Sequence, residues 1–407
     1  MLIVLILSLN CLAQSPEEEK LLTPEQAALV ERIDASLSRA TAYLVMEQSP
    51  EGAWYSKTYG MFRDGVTLTP YVMSALFFMP GTEARTAFRK GVDYLMAMVN
   101  EDGTLRTGPG GLLFPVLTAA SASRMVVLEI KDEIHKRAQI AFLNLIRAWQ
   151  LTEALGWSPD DLEYGGWGFA LRPPKKPESG QLREEFFESN MVATIFGIAA
   201  LRSARIPLSD PVWQKVLVFV KRCQNFADDP APADPQFDDG GFFFIPTDPL
   251  QNKAGIAGTD RLGRQRFYSY GTMTADGLRA LLQCGLPKDH PRVVAARTWL
   301  ERRFSISDNP GTFNPDREVL RNATYYYWSW SVAHAFDRLG LKEFEQNGKT
   351  VHWAIELAAE LLRRQQSDGT WTNTYTDARE DDPLVATSWA AAALAICCKA
   401  ITERQDE

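Results

Sequence analysis

The sequence predicts an all-α fold over residues 24–404, in which six helix pairs form a ring of inner helices inside a ring of outer ones. Three observations carry this expectation. First, a turn built on glycine and a following aromatic or apolar residue recurs at Gly52, Gly103, Gly166, Gly241, Gly311 and Gly369, at spacings of 51, 63, 75, 70 and 58 residues. Self-similarity on that scale marks a repeat architecture whose units bury their apolar faces against one another. Second, amphipathic helical patterns alternate with patterns that are apolar nearly all round, and a helix apolar on every face must be buried on every face. Third, strand-like alternation is confined to residues 241–245.

In chain order, residues 1–13 read as a signal peptide. Leu2 to Leu9 form a short apolar run, Cys11-Leu12-Ala13 is a small-x-small cleavage site, and Glu17, Glu18 and Glu19 follow at once. Cys11 is alternatively a lipid-anchor site. The expected location is therefore exported, periplasmic or extracellular, with lipid anchoring as the variant. No further run approaches the ~18 apolar residues of a membrane span, so no transmembrane segment is expected.

The clearest repeats are Gln48 to Trp54 and Gln366 to Trp371. Weaker copies sit at Asn100 to Leu105, Gly165 to Trp167, Asp239 to Phe242 and Asn309 to Phe313. In the last unit Trp353, Leu357, Leu361 and Leu362 share one helical face opposite Glu356, Glu360, Arg363 and Arg364, which describes an outer helix. Asp382 then supplies an N-cap and Pro383 a first-turn proline, and Leu384 to Ile396 is apolar almost all round. The fourth unit repeats the contrast, residues 211–223 being amphipathic and 270–284 small and apolar. An open solenoid of helix pairs competes with the closed ring, although such arrays have shorter and more regular repeats.

Composition narrows the function. The 407 residues carry 43 Lys and Arg against 51 Asp and Glu, a net charge of −8 without a basic block, and an acidic surface repels phosphate backbones. Nucleic acid is not an expected partner. Four cysteines beyond Cys11 and four scattered histidines form no zinc spacing, so neither a metal nor another cofactor is expected. The excess is aromatic, with 11 Trp, 12 Tyr and 21 Phe.

Polar residues in otherwise apolar inner helices are the candidates for function: Asp64, Thr118, Glu188, Asn190, Thr194, Asp276, Ser331, His334, Thr387 and Ser388. A buried carboxyl must be paired, neutral or functional, and Asp276 has Arg279 or the basic loop of Arg261, Arg264 and Arg266 as partners. The string Glu380-Asp381-Asp382 lies at the mouth of an inner helix, where a raised-pKa acid and an N-cap both account for Asp382. Tyr268, Tyr270 and the run Tyr325 to Trp330 offer ring faces, suited to packing or to cation–π contact. The acidic insert 228–248 reads as a solvated loop, its acids lacking a regular calcium spacing.

The spacings Gln48-x-x-x-Gly52-x-Trp54 and Gln366-x-x-Gly369-x-Trp371 resemble the Gln-Trp repeat of the terpenoid cyclase and protein prenyltransferase superfamily, over essentially the whole of residues 24–404. The resemblance implies an α/α toroid, an α6/α6 barrel, with a central cavity for a hydrophobic or isoprenoid small molecule. It does not bring the catalytic motifs. The Asp-x-Asp-Asp string of squalene-hopene cyclases is absent. Where the prenyltransferases hold zinc, this sequence has Tyr268, Tyr270 and Tyr325 to Tyr327, so zinc-dependent prenyl transfer is not implied.

The expectation is therefore an exported toroid that binds a hydrophobic or isoprenoid ligand and, if active, works as a terpenoid cyclase-like enzyme. Asp276 and Asp382 are its acids, and Tyr268, Tyr270, Tyr326, Trp328, Trp330, His334 and Asn190 bind substrate. The alternatives are a non-catalytic protein-binding toroid, its partner not identifiable from sequence, and a polysaccharide-active α/α barrel enzyme.

Overall fold

The computed structural model describes residues 22–98, 100, 133–170, 173–178, 181, 187–228 and 233–403. The expected signal peptide, the Gly103 turn with Thr118 and part of the acidic insert lie outside the described residues.

Outer helices are α1 (Pro24–Met46), α3 (Thr82–Ala97), α4 (Glu133–Trp149), α6 (Val212–Arg222), α8 (Pro291–Arg303) and α11 (Trp353–Arg364). Inner helices are α2 (Thr69–Leu76), α5 (Met191–Ser203), α7 (Gly271–Gln283), α10 (Tyr325–Leu339) and α12 (Pro383–Thr402), and a short α9 (Val319–Ala323) precedes α10. These make five outer–inner pairs, the partner expected for α3 lying outside the described residues. Among the described residues, strands are limited to two hairpins, β1 (Ile256–Thr259) with β2 (Gln265–Phe267) and β3 (Phe344–Gln346) with β4 (Lys349–Val351). The alternation at residues 241–245 yields only an isolated bridge between Gln224 and Phe242, because this segment is a repeat turn whose backbone bonds to helix ends.

Inner helices pack side by side in the order α2, α12, α10, α7, α5. Helix α12 meets the length and apolarity of a membrane span, unlike the expectation from sequence, yet it is buried at the centre of this layer. The inner N-termini share one end. Asn309 ties two of them, accepting from the Thr272 N–H and donating to Thr324 Oγ1, and Glu380, just before α12, accepts the N–H groups of Tyr326 and Tyr327 on α10.

The repeat turn is a three-part clamp. Its aromatic ring is buried and its indole N–H reaches back to the preceding outer helix: Trp54 to the Leu44 carbonyl, Trp167 to Ile146 and Trp371 to Leu361, at 2.7–2.8 Å. Removing about 200 Å² of each ring from water contributes roughly 5 kcal/mol before entropy is counted. Its backbone N–H is taken by a threonine of the inner helix: Thr69 for Trp54, Thr194 for Trp167, Thr274 for Phe242 and Thr387 for Trp371. Thr194 and Thr387, singled out above as candidate functional groups, are thus structural acceptors.

The third part is a glutamine amide that joins the turn to the next outer helix. Gln48 donates to Gly52 and Ala87, Gln150 to Gly165 and Val212, Gln224 to Gly240 and Arg292, and Gln365 to Gly369 and Ser36. In the last unit the bridging residue is therefore Gln365, one before the Gln366 read from sequence. Gln366 faces outward and donates to Thr372 instead. Ser36 belongs to α1, so the last unit is clamped onto the first, and α12 packs on both α1 and α2.

Candidate ligand site between the inner helices

Helical geometry selects which residues face the middle of the inner layer. Positions spaced by three, four or seven share a face, and on α10 that face holds Tyr327, Trp330, Ser331 and His334. The matching stripes are Thr272, Asp276, Arg279 and Gln283 on α7, Val192, Phe196 and Ala199 on α5, and Tyr71, Ser74 and Phe78 on and just beyond α2, with Trp389 from α12.

Ring contacts confirm that these stripes meet. Trp330 lies 6.0 Å from Phe196 with near-parallel planes, 5.6 Å from Tyr327, 4.7 Å from Trp389 and 4.8 Å from His334. Trp389 in turn meets Tyr71 at 4.9 Å, and His334 meets Phe78 at 5.2 Å. The guanidinium of Arg279 stands 4.5 Å over the Trp330 ring. Trp330 thus touches groups from α5, α7 and α12 as well as its own helix, which only a residue near the axis can do. Tyr71, Ser74, Phe78, Val192, Ala199, Tyr327 and His334 keep partial exposure, unlike the outward-packed residues of the same helices.

Asp276 sits among these rings, fully buried. One oxygen accepts Arg279 Nη1 at 2.9 Å and the other accepts the Tyr327 hydroxyl at 2.7 Å. Burial raises its pKa, opposed by the charge of Arg279 and by the bond from Tyr327. Tyr327 is pushed well above the ordinary phenol range, first by burial and then by Asp276, so it stays protonated and donates. Of the two partners open at the sequence level, Arg279 is the one used. The basic loop is engaged elsewhere, Arg264 and Arg266 binding Asp260, and Arg266 also binding Asp238.

Several expected site residues are placed otherwise. Tyr326 and Trp328 do not join the central ring cluster: the helix turns about 100° per residue, which sends the Tyr326 hydroxyl to the Thr372 carbonyl and the Trp328 indole N–H to the Ser305 carbonyl, where its ring meets Phe304. Asn190 is the N-cap of α5, its side chain accepting from the Ala193 N–H at 2.9 Å. Asp382 caps α12, one oxygen accepting from the Leu384 N–H and the other from the Ser56 hydroxyl. Tyr268 lies in the link between β2 and α7, its N–H bonded to Gly255, with no contact to the lumen rings among the described residues. Tyr270 is buried at the N-cap of α7 against Phe313, and its hydroxyl has no partner. Trp330, His334 and Asp276 do belong to the group that meets in the middle of the inner layer.

Sequence reasoning missed Tyr71, Phe78, Phe196 and Trp389. Their signal was the three- and four-residue spacing along each inner helix. It also passed over Glu380, which is buried at the N-termini of α10 and α12, bonded to the Asn373 amide as well as to Tyr326 and Tyr327. Burial is the main cause that pushes its pKa up to about 7, against those hydrogen bonds and the charge of Lys253.

A separate groove of about 790 Å³ lies between the third and fourth units, lined by Lys221, Arg222, Asp228, Asp238, Asp260 and Arg266 among others. Three of its acids are ion-paired, Asp228 with Arg292, Asp238 with Arg266 and Asp260 with Arg264, and Asp234 accepts the Gln236 N–H. All eleven tryptophans of the chain are buried, so none presents an open face there.

No family model and no curated protein matches the sequence. The fold does have solved relatives. The type II terpene cyclase MstE from Scytonema superposes with a TM-score of 0.52 at 14% identity, covering 90% of this chain and 98% of that one. A variant of it in complex with geranylgeranyl dihydroxybenzoate, its substrate, gives 0.51 at 14% identity over 92% and 99%. An inactive variant of the α-1,6-mannanase GH76A of Salegentibacter sp., in complex with α-1,6-mannotriose, gives 0.50 at 11% identity over 93% and 100%. At these identities the likeness is one of fold: the chain has a terpenoid cyclase-like α/α fold, which it shares with a glycosidase barrel.

Proposed function

We propose that the protein is an exported, closed toroid of six helix pairs that binds a hydrophobic, isoprenoid ligand in the lumen between its inner helices. The observation that carries this reading is the cluster of rings around Trp330, in which Tyr71, Phe78, Phe196, Tyr327, Trp389 and His334 converge from four inner helices. Such rings supply apolar surface to a branched hydrocarbon chain and quadrupole attraction of ~0.5–2 kcal/mol each to a developing cation. The clamp of Gln365 on Ser36 supports closure of the ring, and residues 1–13 support export.

Acid-initiated cyclisation is the catalytic form of this reading. Asp276 is the carboxyl that faces the rings, and its protonated form, which burial favours, is the acid assigned to the first proton transfer, leaving the carboxylate that Arg279 and Tyr327 hold. The mannanase likeness carries less, because a glycoside hydrolase needs two carboxyls across the bond it cleaves, whereas three of the groove acids are ion-paired and no tryptophan is exposed.

Mass spectrometry of lipid retained by the intact protein tests the binding. An isoprenoid is expected, lost in Tyr71→Ala with Trp389→Ala; protein that comes out lipid-free and takes up no added polyprenyl compound overturns the reading. Incubation with polyprenyl substrates tests the chemistry: Asp276→Asn abolishes product while lipid retention persists, and unchanged product formation removes Asp276 from the role. Fractionation of the source cells tests export.

A further inference from the structure

Away from the central rings, the groove of about 790 Å³ between the third and fourth units has the size of a small-molecule site. Its two sides differ in charge. On the side of the β1–β2 hairpin the charged groups satisfy one another: Asp260 meets Arg264 and Arg266, Asp238 meets Arg266, and the Asp234 N–H is bonded to Asp238. At the C-terminal end of α6 they do not. Lys221 Nζ has no hydrogen bond or ion pair among the described residues, its neighbour Asp228 being held by Arg292. Arg222 is partly buried, donates only to the backbone carbonyls of Pro159 and Asp161, and has Asp160, Asp161 and Glu163 acting on it only at a distance. A cation taken from water without a carboxylate partner is stabilised by an anion brought to it. The same end offers apolar surface. Arg292 donates to the Lys221 carbonyl and stands 4.7 Å over the Phe226 ring, the Phe243 N–H is bonded to the Cys223 carbonyl, and Leu162 follows the Asp161 carbonyl that holds Arg222. Leu162 leaves 48% of its surface in water, and Leu262 on the hairpin side 69%.

We propose that this groove is a second ligand site, for an amphiphilic acid whose anionic head sits on Lys221 and Arg222 and whose hydrocarbon part lies against Phe226, Phe243 and Leu162 and reaches towards Leu262. The head is a carboxylate and not a phosphate monoester. The groove is lined by five basic and four acidic side chains among the described residues, so one negative charge is matched and two are not. The site stands apart from the ring cluster around Trp330 and does not depend on what that cluster binds.

The test titrates the intact protein with decanoate, decanol and decyl phosphate, following isothermal calorimetry and saturation-transfer NMR. Decanoate is expected to bind about fivefold or more tighter than decanol, as a charge-assisted bond exceeds a neutral one, and tighter than the phosphate, the preference shrinking at high salt. Lys221→Gln, which breaks no hydrogen bond of the protein, brings decanoate towards decanol and leaves decanol unchanged, while Phe226→Ala weakens both. Equal binding of decanoate and decanol, tightest binding of the phosphate, decanoate binding that Lys221→Gln leaves intact, or binding of none of the three overturns the site. None of these outcomes bears on the isoprenoid reading, which is decided by lipid retention in Tyr71→Ala with Trp389→Ala.

Discussion

Gly369 tests the joint between the last and first units. It has φ +88°, and a Cβ built on it would lie 2.8 Å from the carbonyl carbon and oxygen of Arg39 in α1. Two separable costs arise in Gly369→Ala. The left-handed backbone costs an L-residue about 1–2 kcal/mol. The contact is with backbone, which cannot rotate away, so α1 must shift from the turn, an overpacking cost of about 1–3 kcal/mol. Gly348 isolates the first cost, because it turns the β3–β4 hairpin at φ +73° and a Cβ there meets nothing within 4 Å. Urea unfolding should therefore show Gly348→Ala less stable by about 1–2 kcal/mol and Gly369→Ala by about 2–5 kcal/mol. The reduction in unfolded-chain entropy is common to both and cancels. If the two variants lose the same stability to within about 0.5 kcal/mol, α1 is not pressed against the last turn and the joint is misassigned.

Three further outcomes follow from the clamps and from Glu380. Gln365→Ala leaves two backbone carbonyls without their amide donor and should cost about 1–3 kcal/mol, whereas Gln366→Ala should stay within about 0.5 kcal/mol; equal urea midpoints would return the bridging role to neither. Thr387→Val keeps the side-chain shape but strips the buried Trp371 N–H of its acceptor, lowering stability by about 1–3 kcal/mol, read by thermal and urea unfolding. Glu380 has a folded-state pKa near 7 against 4.5 unfolded, so the native state holds its proton more tightly. That contribution is complete below pH 4.5 and is lost as pH rises through 7, amounting to about 3 kcal/mol at ~1.4 kcal/mol per unit. The stability of wild type relative to Glu380→Gln should therefore fall between pH 4.5 and 7.5, and a difference flat across that range refutes the assignment.

The repeat was legible because its signal is local: a glycine, a ring two residues on, and helices whose polarity alternates. What lay beyond a local window was lost. The threonines that hold the turn N–H groups stand 15 to 32 residues downstream of their partners, and nothing in a single turn announces them. Adjacent Gln365 and Gln366 fit the turn equally well as sequence, and only the direction in which each leaves the helix decides between them. As sequence the run Tyr325 to Trp330 is one aromatic block, yet successive helical residues diverge by about 100°, so Tyr327 and Trp330 join the central ring cluster while Tyr326 and Trp328 point away from it. Asp276 and His334 were found because a polar residue in an apolar helix is conspicuous. Phe196 and Trp389 were not, because a ring in an apolar helix is indistinguishable from core. Glu380 was hidden beside Asp382, whose capping position drew the attention, although Glu380 serves the first turn of a neighbouring helix.

The Gln365 to Ser36 bond joins residues 329 positions apart, and this has a kinetic meaning. Bringing such distant segments together carries a loop-closure entropy that grows only slowly with length, but it must be met before the contact returns anything. Helix α1 buries Ile33, Leu37 and Leu44 partly against α11 and α12, which are synthesised after the other described helices, so its apolar face waits uncovered while the intervening units assemble. Docking of α1 with the last unit is thus expected as the slow, late step of folding, separate from formation of the individual helix pairs.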